Sequence, residues 1–498
     1  MRLRMWTLDI AREQCPTLEH LTEFAAASLE AGYDSLGLYL EHRFAFPSAP
    51  WAQGSGAVTP ETVHSLQRSF PALRIVPFVN LLGHMEGFLH SEEGSVLRES
   101  SFRGMQGCPS DAGFAKFCDG LLEDTLRTFD SDMVHIGGDE TWELAKCPKC
   151  ADPGGHDDWK AELYGRHFGR LAKKVTAAGR QPAVWGDMFL EHPAALNELP
   201  RSTVIFDWQY FSGVKESAAK LVSGGFEVVA CPTLQTYNSV WAHVEPSEAN
   251  IREVSQDALD LGLKGVCLTT WECALFGAYD TLLPLVKAAR PMMDNPQGAP
   301  SFDSSLSAWA HLMGIELSKL GGVFSADGHR NRLKCRLLLY GNPFLAWMHH
   351  HRELSGGIGE AALELCARAL LATDDEGEKG VTLFVRGAVE FVRIAEAAHR
   401  HYANDEPELA VRALAPLRQL FDTLELVANR TVKRIGGSQA DAERCRMAKK
   451  HVETVITRIQ RYGRRELGYL PSFDIITHPH FVPHDQACWW AVNKWGDE

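Results

Sequence analysis

One stretch of the chain decides the fold class, and it runs from Asp111 to Glu140: DAGFAKFCDG LLEDTLRTFD SDMVHIGGDE. Residues 111–129 have helical character, and residues 133–137 form a short apolar run rich in β-forming side chains. Two glycines and two carboxylates follow this run. A helix next to a near-continuous apolar strand is the unit from which covered parallel sheets are built. The stretch therefore predicts a buried parallel strand with acidic groups at its carboxyl end.

The same alternation extends over the first 290 residues, where segments 18–30, 159–178 and 250–261 also have helical character. The apolar runs are residues 4–10, 35–41, 73–80, 133–137, 181–186, 202–208, 226–231 and 265–271. Eight strands separated by helix-sized connections in about 250 residues predict a (β/α)₈ TIM barrel rather than an open sheet. No Gly-x-Gly-x-x-Gly motif follows the first run, which also disfavours a dinucleotide-binding fold.

After about residue 300 the pattern changes from strands to helices. Apolar side chains recur on one helical face, as Phe384, Ala388, Phe391 and Ala395, and again as Val452, Val455, Ile456 and Ile459. Segment 414–427 is also helix-like, with Pro416 in its first turn or at a break. We expect a barrel over residues 1–295 and an all-α C-terminal domain over 296–498. The tail, residues 467–498, is rich in Pro, His and Trp. We expect it to dock on the barrel or on a second subunit. If it reaches a second subunit, the helical domain would mediate a homodimer.

Composition and charge exclude several classes of partner. The chain has 50 Lys and Arg against 64 Asp and Glu, and this net charge of −14 disfavours nucleic acid, which calls for a basic face. No run approaches the roughly 18 apolar residues of a membrane span. The first residues contain no apolar secretory segment, so we expect a cytoplasmic protein whose 12 cysteines are reduced thiols.

The predicted strand ends carry the polar groups, and in a (β/α)₈ barrel the reactive groups lie at those ends. In chain order they are Asp9 and Arg12, then Glu41, His42 and Arg43, then Asn80, His84 and Glu86, then Asp139 and Glu140, then Trp185 and Asp187, then Asp207 and Trp208, then Tyr237, and finally Trp271 and Glu272. Carboxylates and arginines bind sugar hydroxyls, and aromatic faces stack on the C–H surface of a sugar ring. The set therefore predicts a carbohydrate pocket.

Two interpretations fit Asp139 and Glu140 when only the local residues are considered. Glycoside cleavage needs an acid that protonates the leaving oxygen and a second group that stabilises the positive centre. If the chain continues extended, adjacent side chains point in different directions, so each carboxylate would have its own task. Alternatively, Asp and Glu are common in the first turn of a helix, so the pair could begin a capped helix.

A family resemblance favours the first interpretation. Val134-His135-Ile136-Gly137-Gly138-Asp139-Glu140 resembles the His-x-Gly-Gly-Asp-Glu signature of the family 20 glycoside hydrolases, the β-N-acetylhexosaminidases. Over residues 1–285, other family motifs follow in the expected order: Leu8-Asp9-Ile10-Ala11-Arg12, Val76-Pro77-Phe78 with Leu82-Gly83-His84, then Trp185, Trp208, Tyr237 and Trp271-Glu272. The chain is most similar to the intracellular hexosaminidase D branch, on the basis of Leu82-Gly83-His84-Met85-Glu86, Val184-Trp185-Gly186-Asp187-Met188 and Leu268-Thr269-Thr270-Trp271.

The sequence departs from the family at three places. Leu82 stands where many relatives have Pro, Glu41-His42-Arg43 replaces the usual motif after the second strand, and the helical extension of about 200 residues is not part of the common catalytic core. These departures leave the preferred sugar open.

The resemblance implies a retaining exo-β-N-acetylhexosaminidase that acts on terminal N-acetylhexosamines by substrate-assisted catalysis. Glu140 would be the general acid and base, and Asp139 would orient the acetamido group of the substrate. The other expected roles are Tyr237 as a hydrogen-bond donor to the acetamido oxygen, Trp185, Trp208 and Trp271 as the acetamido pocket, Arg12 and Glu272 as ligands of the outer hydroxyls, and His84 and Glu41 as a relay to the catalytic pair. Arg43 is left as either a sugar ligand or a surface charge. The reaction needs no metal and no cofactor.

Two alternatives remain open at this point. The chain could be an amino-sugar-binding protein without turnover, or a variant specific for modified hexosaminides such as sulfated ones. Separately, Cys147-Pro148-Lys149-Cys150 could be half of a zinc site completed by His156 or a remote cysteine, or simply two thiols in a surface loop.

Overall fold

The computed structural model describes residues 1–11, 15–54, 56–100, 105–236, 241–271, 279–324, 343–344, 347, 351–436 and 440–469. Arg12, Tyr237 and Glu272 lie outside these residues, as does the tail from residue 470. Within the described residues the chain forms two compact units. The first contains residues 1–235, 246–271 and 283–305, and the second contains residues 236–245, 272–282 and 306–498. The expected division into 1–295 and 296–498 stays a prediction.

The first unit is a closed parallel barrel. Its strands are β1 (Leu3–Asp9), β2 (Ser35–Tyr39), β3 (Arg74–Phe78), β4 (Met133–His135), β5 (Gln181–Trp185), β6 (Val204–Trp208), β7 (Glu227–Cys231), β8 (Thr233–Leu234) and β9 (Gly265–Thr270). Neighbours pair in the order β1-β2-β3-β4-β5-β6-β7-β9, and β9 pairs with β1 to close the ring. The two-residue β8 is an extra partner of β9, so the eight predicted strands are the eight barrel strands and the TIM-barrel prediction is confirmed.

The helices of the chain are α1 (Leu18–Ala31), α2 (Pro60–Ser69), α3 (Glu86–Leu89), α4 (Ala112–Thr128), α5 (Trp159–Ala177), α6 (Asp187–Glu191), α7 (Lys215–Ser223), α8 (Val244–Asp260), α9 (Tyr279–Asp294), α10 (Ala308–His311), α11 (Ile358–Leu371), α12 (Glu376–Ala403), α13 (Pro407–Leu414), α14 (Pro416–Ile435) and α15 (Ala440–Gly463). Short 3₁₀ helices cover Glu41–Arg43, Pro50–Ala52, Gly94–Leu97, Pro193–Glu198, Asp303–Ser305, Ser318–Leu320 and Gly322–Phe324, and a π-helix covers Leu312–Glu316. Among the described residues, every helix is too short or too polar to cross a membrane.

Local sequence signals explain where the barrel helices begin. Thr17, Thr59, Asp111 and Asp158 immediately precede α1, α2, α4 and α5, and each side chain accepts a hydrogen bond from a backbone N–H of the first turn. This contact satisfies a donor that has no partner within the helix. After α1, Gly32 adopts a φ of +90° and ends the helix.

The register of the strands determines which loops meet at one rim. Asp9 pairs with Tyr39, and Phe78 pairs with His135. Parallel strands in this register bring the segments after β1 to β4 to the same end of the barrel. The interior below this rim is apolar and includes Val76, Phe206 and Val229, all almost fully buried.

The second unit consists of helices, as the sequence predicts. The predicted apolar faces are buried: Phe384, Ala388, Phe391 and Ala395 on α12, and Val452, Val455, Ile456 and Ile459 on α15. Pro416 lies in the first turn of α14, and the segment predicted as 414–427 spans the end of α13 and most of α14. Proline is tolerated there because the first N–H groups of a helix have no intrahelical partner.

Candidate active site

The backbone after β4 turns sharply. Gly137 and Gly138 have φ values of +79° and +115°, and Glu140 has a φ of +50°. A Cβ on Gly138 would lie 2.6 Å from the hydroxyl oxygen of Tyr164, and that hydroxyl donates a 2.6 Å hydrogen bond to the Gly138 carbonyl. Only glycine combines this conformation with so close an approach. The two glycines therefore allow the sharp turn of the backbone. No helix begins at Asp139, because the next helix starts at Trp159. The capped-helix interpretation is wrong.

The turn brings both carboxylates to the same imidazole. Nε2 of His84 is 3.1 Å from Glu140 Oε2 and 3.4 Å from Asp139 Oδ2. The extended chain that would separate the two side chains is not formed, because Glu140 has a left-handed backbone. That each carboxylate has its own task stays a prediction. Both side chains keep a limited solvent contact, with 15% of Asp139 and 21% of Glu140 exposed.

His84 comes from the loop after β3 and is buried beneath the pair, with a φ of +49°. On its other side, Nδ1 lies 3.6 Å from Glu86 Oε1. Burial lowers the pKa of His84, but the charge of Asp139 and hydrogen bonds with Glu140 and Glu86 outweigh burial and raise that pKa well above its ordinary value. His84 is therefore a cation at neutral pH and partly balances the two catalytic-site carboxylates.

Close packing fixes the two loops against each other. A Cβ on Gly83 would lie 2.8 Å from the Asp139 carbonyl oxygen. The side chain of Asn80 donates hydrogen bonds to the hydroxyl of Tyr39 and, at 3.4 Å, to the His84 carbonyl. Side-chain and backbone contacts therefore both place His84 opposite the carboxylates.

Asp187, at the end of β5, supports the pair from a third loop. Its Oδ2 accepts a 2.9 Å hydrogen bond from the Glu140 backbone N–H, and its Oδ1 accepts one of 3.4 Å from Trp208 Nε1. Burial and the charge of Asp139 raise the pKa of Asp187 to about 8. Asp187 therefore holds a proton at neutral pH, which limits the negative charge at this point of the rim.

An aromatic cluster adjoins these carboxylates. Trp208 and Trp271 are half-buried and pack against the barrel core. Trp271 Nε1 donates a 2.6 Å hydrogen bond to the Tyr210 hydroxyl, and the Tyr210 ring lies 5.1 Å from the Trp208 ring. The ring of Tyr39 meets Trp271 edge-on at 5.0 Å. Two half-exposed indoles joined by a tyrosine form a wall suitable for an apolar group of a ligand.

Trp185 occupies a deeper position than the other two tryptophans. It is 1% exposed and lies between the rings of His135, at 4.4 Å, and Trp271, at 5.8 Å. Among the described residues its Nε1 has no hydrogen-bond partner. Trp185 therefore forms the floor beneath Trp271, rather than an open side wall.

The segment after β2 forms the short 3₁₀ helix Glu41–Arg43. Glu41 is buried with a φ of +40°, and its Oε2 lies 3.9 Å from His42 Nδ1. A relay from Glu41 to the catalytic pair stays a prediction. Arg43 is only 5% exposed, so the alternative that it is a surface charge is wrong.

Of the ten predicted site residues, seven fall within the described residues. The structure brings Asp139, Glu140 and His84 into contact, and it places Trp185 and Trp271 in one cluster with Trp208 beside them. Sequence reasoning missed Tyr39 and Tyr210 and left Asp187 without a defined role. Each lies within two residues of a predicted strand-end residue, and that position is the signal that could have identified it.

Metal-binding side chains occur elsewhere in the same loops. Within the described residues, Glu99, Cys108, Cys147 and Cys150 are the group whose donor atoms lie close enough to hold one ion. His156 is not part of this group, and its Nδ1 lies 2.6 Å from Glu162 Oε1 instead.

Comparison with known proteins finds a family match within the barrel. Residues 74–261 match the catalytic domain of glycosyl hydrolase family 20. A β-hexosaminidase of Vibrio furnissii is 25% identical over 242 residues, which are 42% of this chain and 38% of that protein. The chain thus spans about two fifths of the length of this curated relative.

A solved structure resembles the chain in fold. The exo-β-N-acetylglucosaminidase of Vibrio harveyi in complex with N-acetylglucosamine gives a TM-score of 0.50 at 18% identity, covering 64% of this chain and 58% of that one. A β-N-acetylhexosaminidase of Bacteroides fragilis gives a TM-score of 0.48 at 17% identity, covering 61% and 68%.

Proposed function

Since the chain belongs to glycosyl hydrolase family 20, we propose that it is a retaining exo-β-N-acetylhexosaminidase that removes terminal β-linked GlcNAc or GalNAc. The observation that carries the proposal is the contact of both Asp139 and Glu140 with one buried imidazole at the carboxyl end of β4. Two carboxylates at a barrel rim, next to an aromatic wall, are the groups that glycoside cleavage requires.

In the proposed reaction the substrate provides its own nucleophile. Glu140 donates a proton to the glycosidic oxygen as the C1–O bond breaks, and the acetamido carbonyl oxygen of the substrate attacks C1 to form an oxazoline. Glu140 then accepts a proton from the water that attacks C1 and opens the oxazoline. Asp139 accepts a hydrogen bond from the acetamido N–H and stabilises the positive charge that develops there.

The surroundings suit these roles. The cationic His84 touches both carboxylates, so it places a positive charge beside the group that would bind the acetamido N–H. Because the backbone N–H of Glu140 is held by Asp187, the acid is anchored from the main chain and its carboxyl group can face the substrate. Fixed charges at such a site stabilise the transition state without reorganisation.

We further propose that Trp208 and Trp271, above Trp185, enclose the acetamido methyl group and exclude water from the reacting centre. Tyr237 would donate to the acetamido oxygen, and Arg12 and Glu272 would bind the outer hydroxyls, which restricts the enzyme to terminal sugars. These three assignments rest on the family resemblance. The cytoplasmic location and a homodimer also stay predictions.

The test is hydrolysis of nitrophenyl N-acetyl-β-glucosaminide and the matching galactosaminide. We expect Glu140→Gln and Asp139→Asn to lower kcat/KM by about 10²–10⁴, the range typical of general acid–base catalysis. Glu123→Gln is the matched control, because Glu123 is exposed on α4. Full activity of either catalytic-pair variant would refute the assignment.

A second measurement separates hydrolysis from mere sugar binding. A thiazoline mimic of the oxazoline should inhibit at far lower concentration than N-acetylglucosamine, because transition-state-like ligands bind more tightly than products. Equal potency of the two compounds would argue against acetamido participation. Binding of N-acetylglucosamine without hydrolysis of any aryl glycoside would instead indicate a binding protein. A panel of substrates with sulfated hydroxyls would show whether the enzyme prefers modified hexosaminides.

A further inference from the structure

Three thiols and a carboxylate converge beside the candidate active site. Sγ of Cys147 lies 3.3 Å from Sγ of Cys108 and 3.4 Å from Sγ of Cys150, and Sγ of Cys150 lies 2.6 Å from Oε1 of Glu99. One donor atom from each residue fits within 4.8 Å of all the others. Glu99, Cys108 and Cys150 are buried, and Cys147 is half-buried.

We propose that these four residues bind one structural zinc ion. Zinc in structural sites takes four ligands in a tetrahedron, and thiolates and carboxylates are both among its ligands. The Cys-x-x-Cys spacing of Cys147 and Cys150 is the spacing such sites use for one half of the tetrahedron. Cys108 and Glu99 complete it from a different loop.

The distances suit a tetrahedral site better than a disulfide. Zn–S bonds of about 2.3 Å place two ligand sulfurs about 3.8 Å apart in a tetrahedron, so the observed separations of 3.3 and 3.4 Å need to open by only a few tenths of an ångström. A disulfide would require the sulfurs to approach to about 2.05 Å. It would also pair two of the three cysteines and leave the third beside a buried carboxylate.

Glu99 gives an independent indication of a cation. Its Oε1 accepts hydrogen bonds of 2.8 Å from the backbone N–H groups of Lys146 and Cys147, whereas its buried Oε2 has no partner among the described residues. A buried carboxylate with an unused oxygen is costly unless a positive charge is near. Zinc binds cysteines as thiolates, so binding would release the thiol protons to solvent.

The site would join the two loops on which the candidate catalytic groups stand. Glu99 and Cys108 belong to the loop between β3 and α4 that carries His84, and Cys147 and Cys150 follow Glu140 on the loop between β4 and α5. Other contacts run between the same loops, including a 3.1 Å hydrogen bond from the Glu143 N–H to the Gln106 side chain. The ion would therefore hold His84 at a fixed position relative to Asp139 and Glu140.

Metal content of the full-length chain tests the proposal. The protein is purified under reducing conditions, dialysed against a mild chelator and analysed by plasma mass spectrometry. We expect about one zinc ion per chain in the wild type and less than about one tenth of that in Cys108→Ala and Cys147→Ala. Cys118→Ala is the matched control, because Cys118 is a buried cysteine of α4 outside the group, and it should keep the wild-type metal content.

A spectroscopic measurement on the wild type does not depend on whether the variants fold. Cobalt(II) exchanged into the chain should give thiolate-to-metal charge-transfer absorption and the intense visible bands of tetrahedral cobalt. Wild-type protein without zinc that also gives no such absorption on adding cobalt would overturn the proposal. A Cys147–Cys150 disulfide in freshly purified protein would overturn it as well. Neither measurement requires turnover, so failure of the proposed hydrolase activity would leave both readouts intact.

Discussion

Replacing Asp187 with Asn should make the stability of the barrel less dependent on pH. In the folded chain Asp187 keeps its proton up to a pKa of about 8, because it is buried and faces the charge of Asp139. In the unfolded chain it loses that proton near its ordinary pKa of 3.8. Between these values the unfolded chain binds fewer protons than the folded chain, so stability falls as pH rises. Asn cannot ionise, and it can still accept the hydrogen bond from the Glu140 N–H.

The pKa difference sets the size of the effect. Each pH unit between the two pKa values corresponds to about 1.4 kcal/mol, so the full span amounts to at most about 6 kcal/mol. Asp187 retains some solvent contact. Screening by water reduces the effect to about half, or about 3 kcal/mol. For a domain of this size 1 kcal/mol changes the thermal midpoint by about 2–4 °C, so Asp187→Asn should gain roughly 6–12 °C on the wild type over the span between the two pKa values, most of it between pH 4.5 and pH 8.5.

The assay is thermal unfolding of wild type and Asp187→Asn at half-unit steps of pH, at constant ionic strength. Asp130→Asn is the control, because Asp130 is an exposed carboxylate of the same barrel, and it should follow the wild-type curve. If the midpoints of wild type and Asp187→Asn stay parallel within about 1 °C across this range, Asp187 is not held protonated and its assigned role is wrong.

Three further predictions concern the backbone, the imidazole and the helical unit. His84→Gln should lower kcat/KM on the order of 10²-fold, because the imidazole that contacts both carboxylates is lost. Activity equal to that of the wild type would contradict this positioning role. Gly138→Ala should lower the free energy of unfolding by about 1–3 kcal/mol more than Gly154→Ala. Both glycines have a positive φ, but only at Gly138 would an added Cβ meet neighbouring atoms. Equal losses in denaturant titration would contradict this. Phe391→Ala should cost about 3–5 kcal/mol, against less than about 0.5 kcal/mol for the exposed Leu371→Ala, and similar unfolding midpoints for both would show that α12 does not bury that face.

The sequence by itself determined the architecture. Near-continuous apolar runs such as residues 202–208 became strands, and caps such as Asp111 mark helix starts, because both signals act over a few residues. The helical faces around Phe391 and Val455 were predictable for the same reason. The family signature also identified Asp139 and Glu140, since the residues of that motif are contiguous along the chain.

Only the tertiary structure decided how those residues meet. The left-handed backbone at Glu140 depends on packing of the Gly137–Gly138 turn against neighbouring strands and helices, and without it the two carboxylates would not share His84. The sequence likewise did not predict which side chains lie next to the thiols of Cys147 and Cys150. Cys108 lies 39 residues from Cys147, and the loops meet because parallel strands in register bring their ends to one rim. Contacts between distant segments follow from strand order and register, which no local pattern specifies.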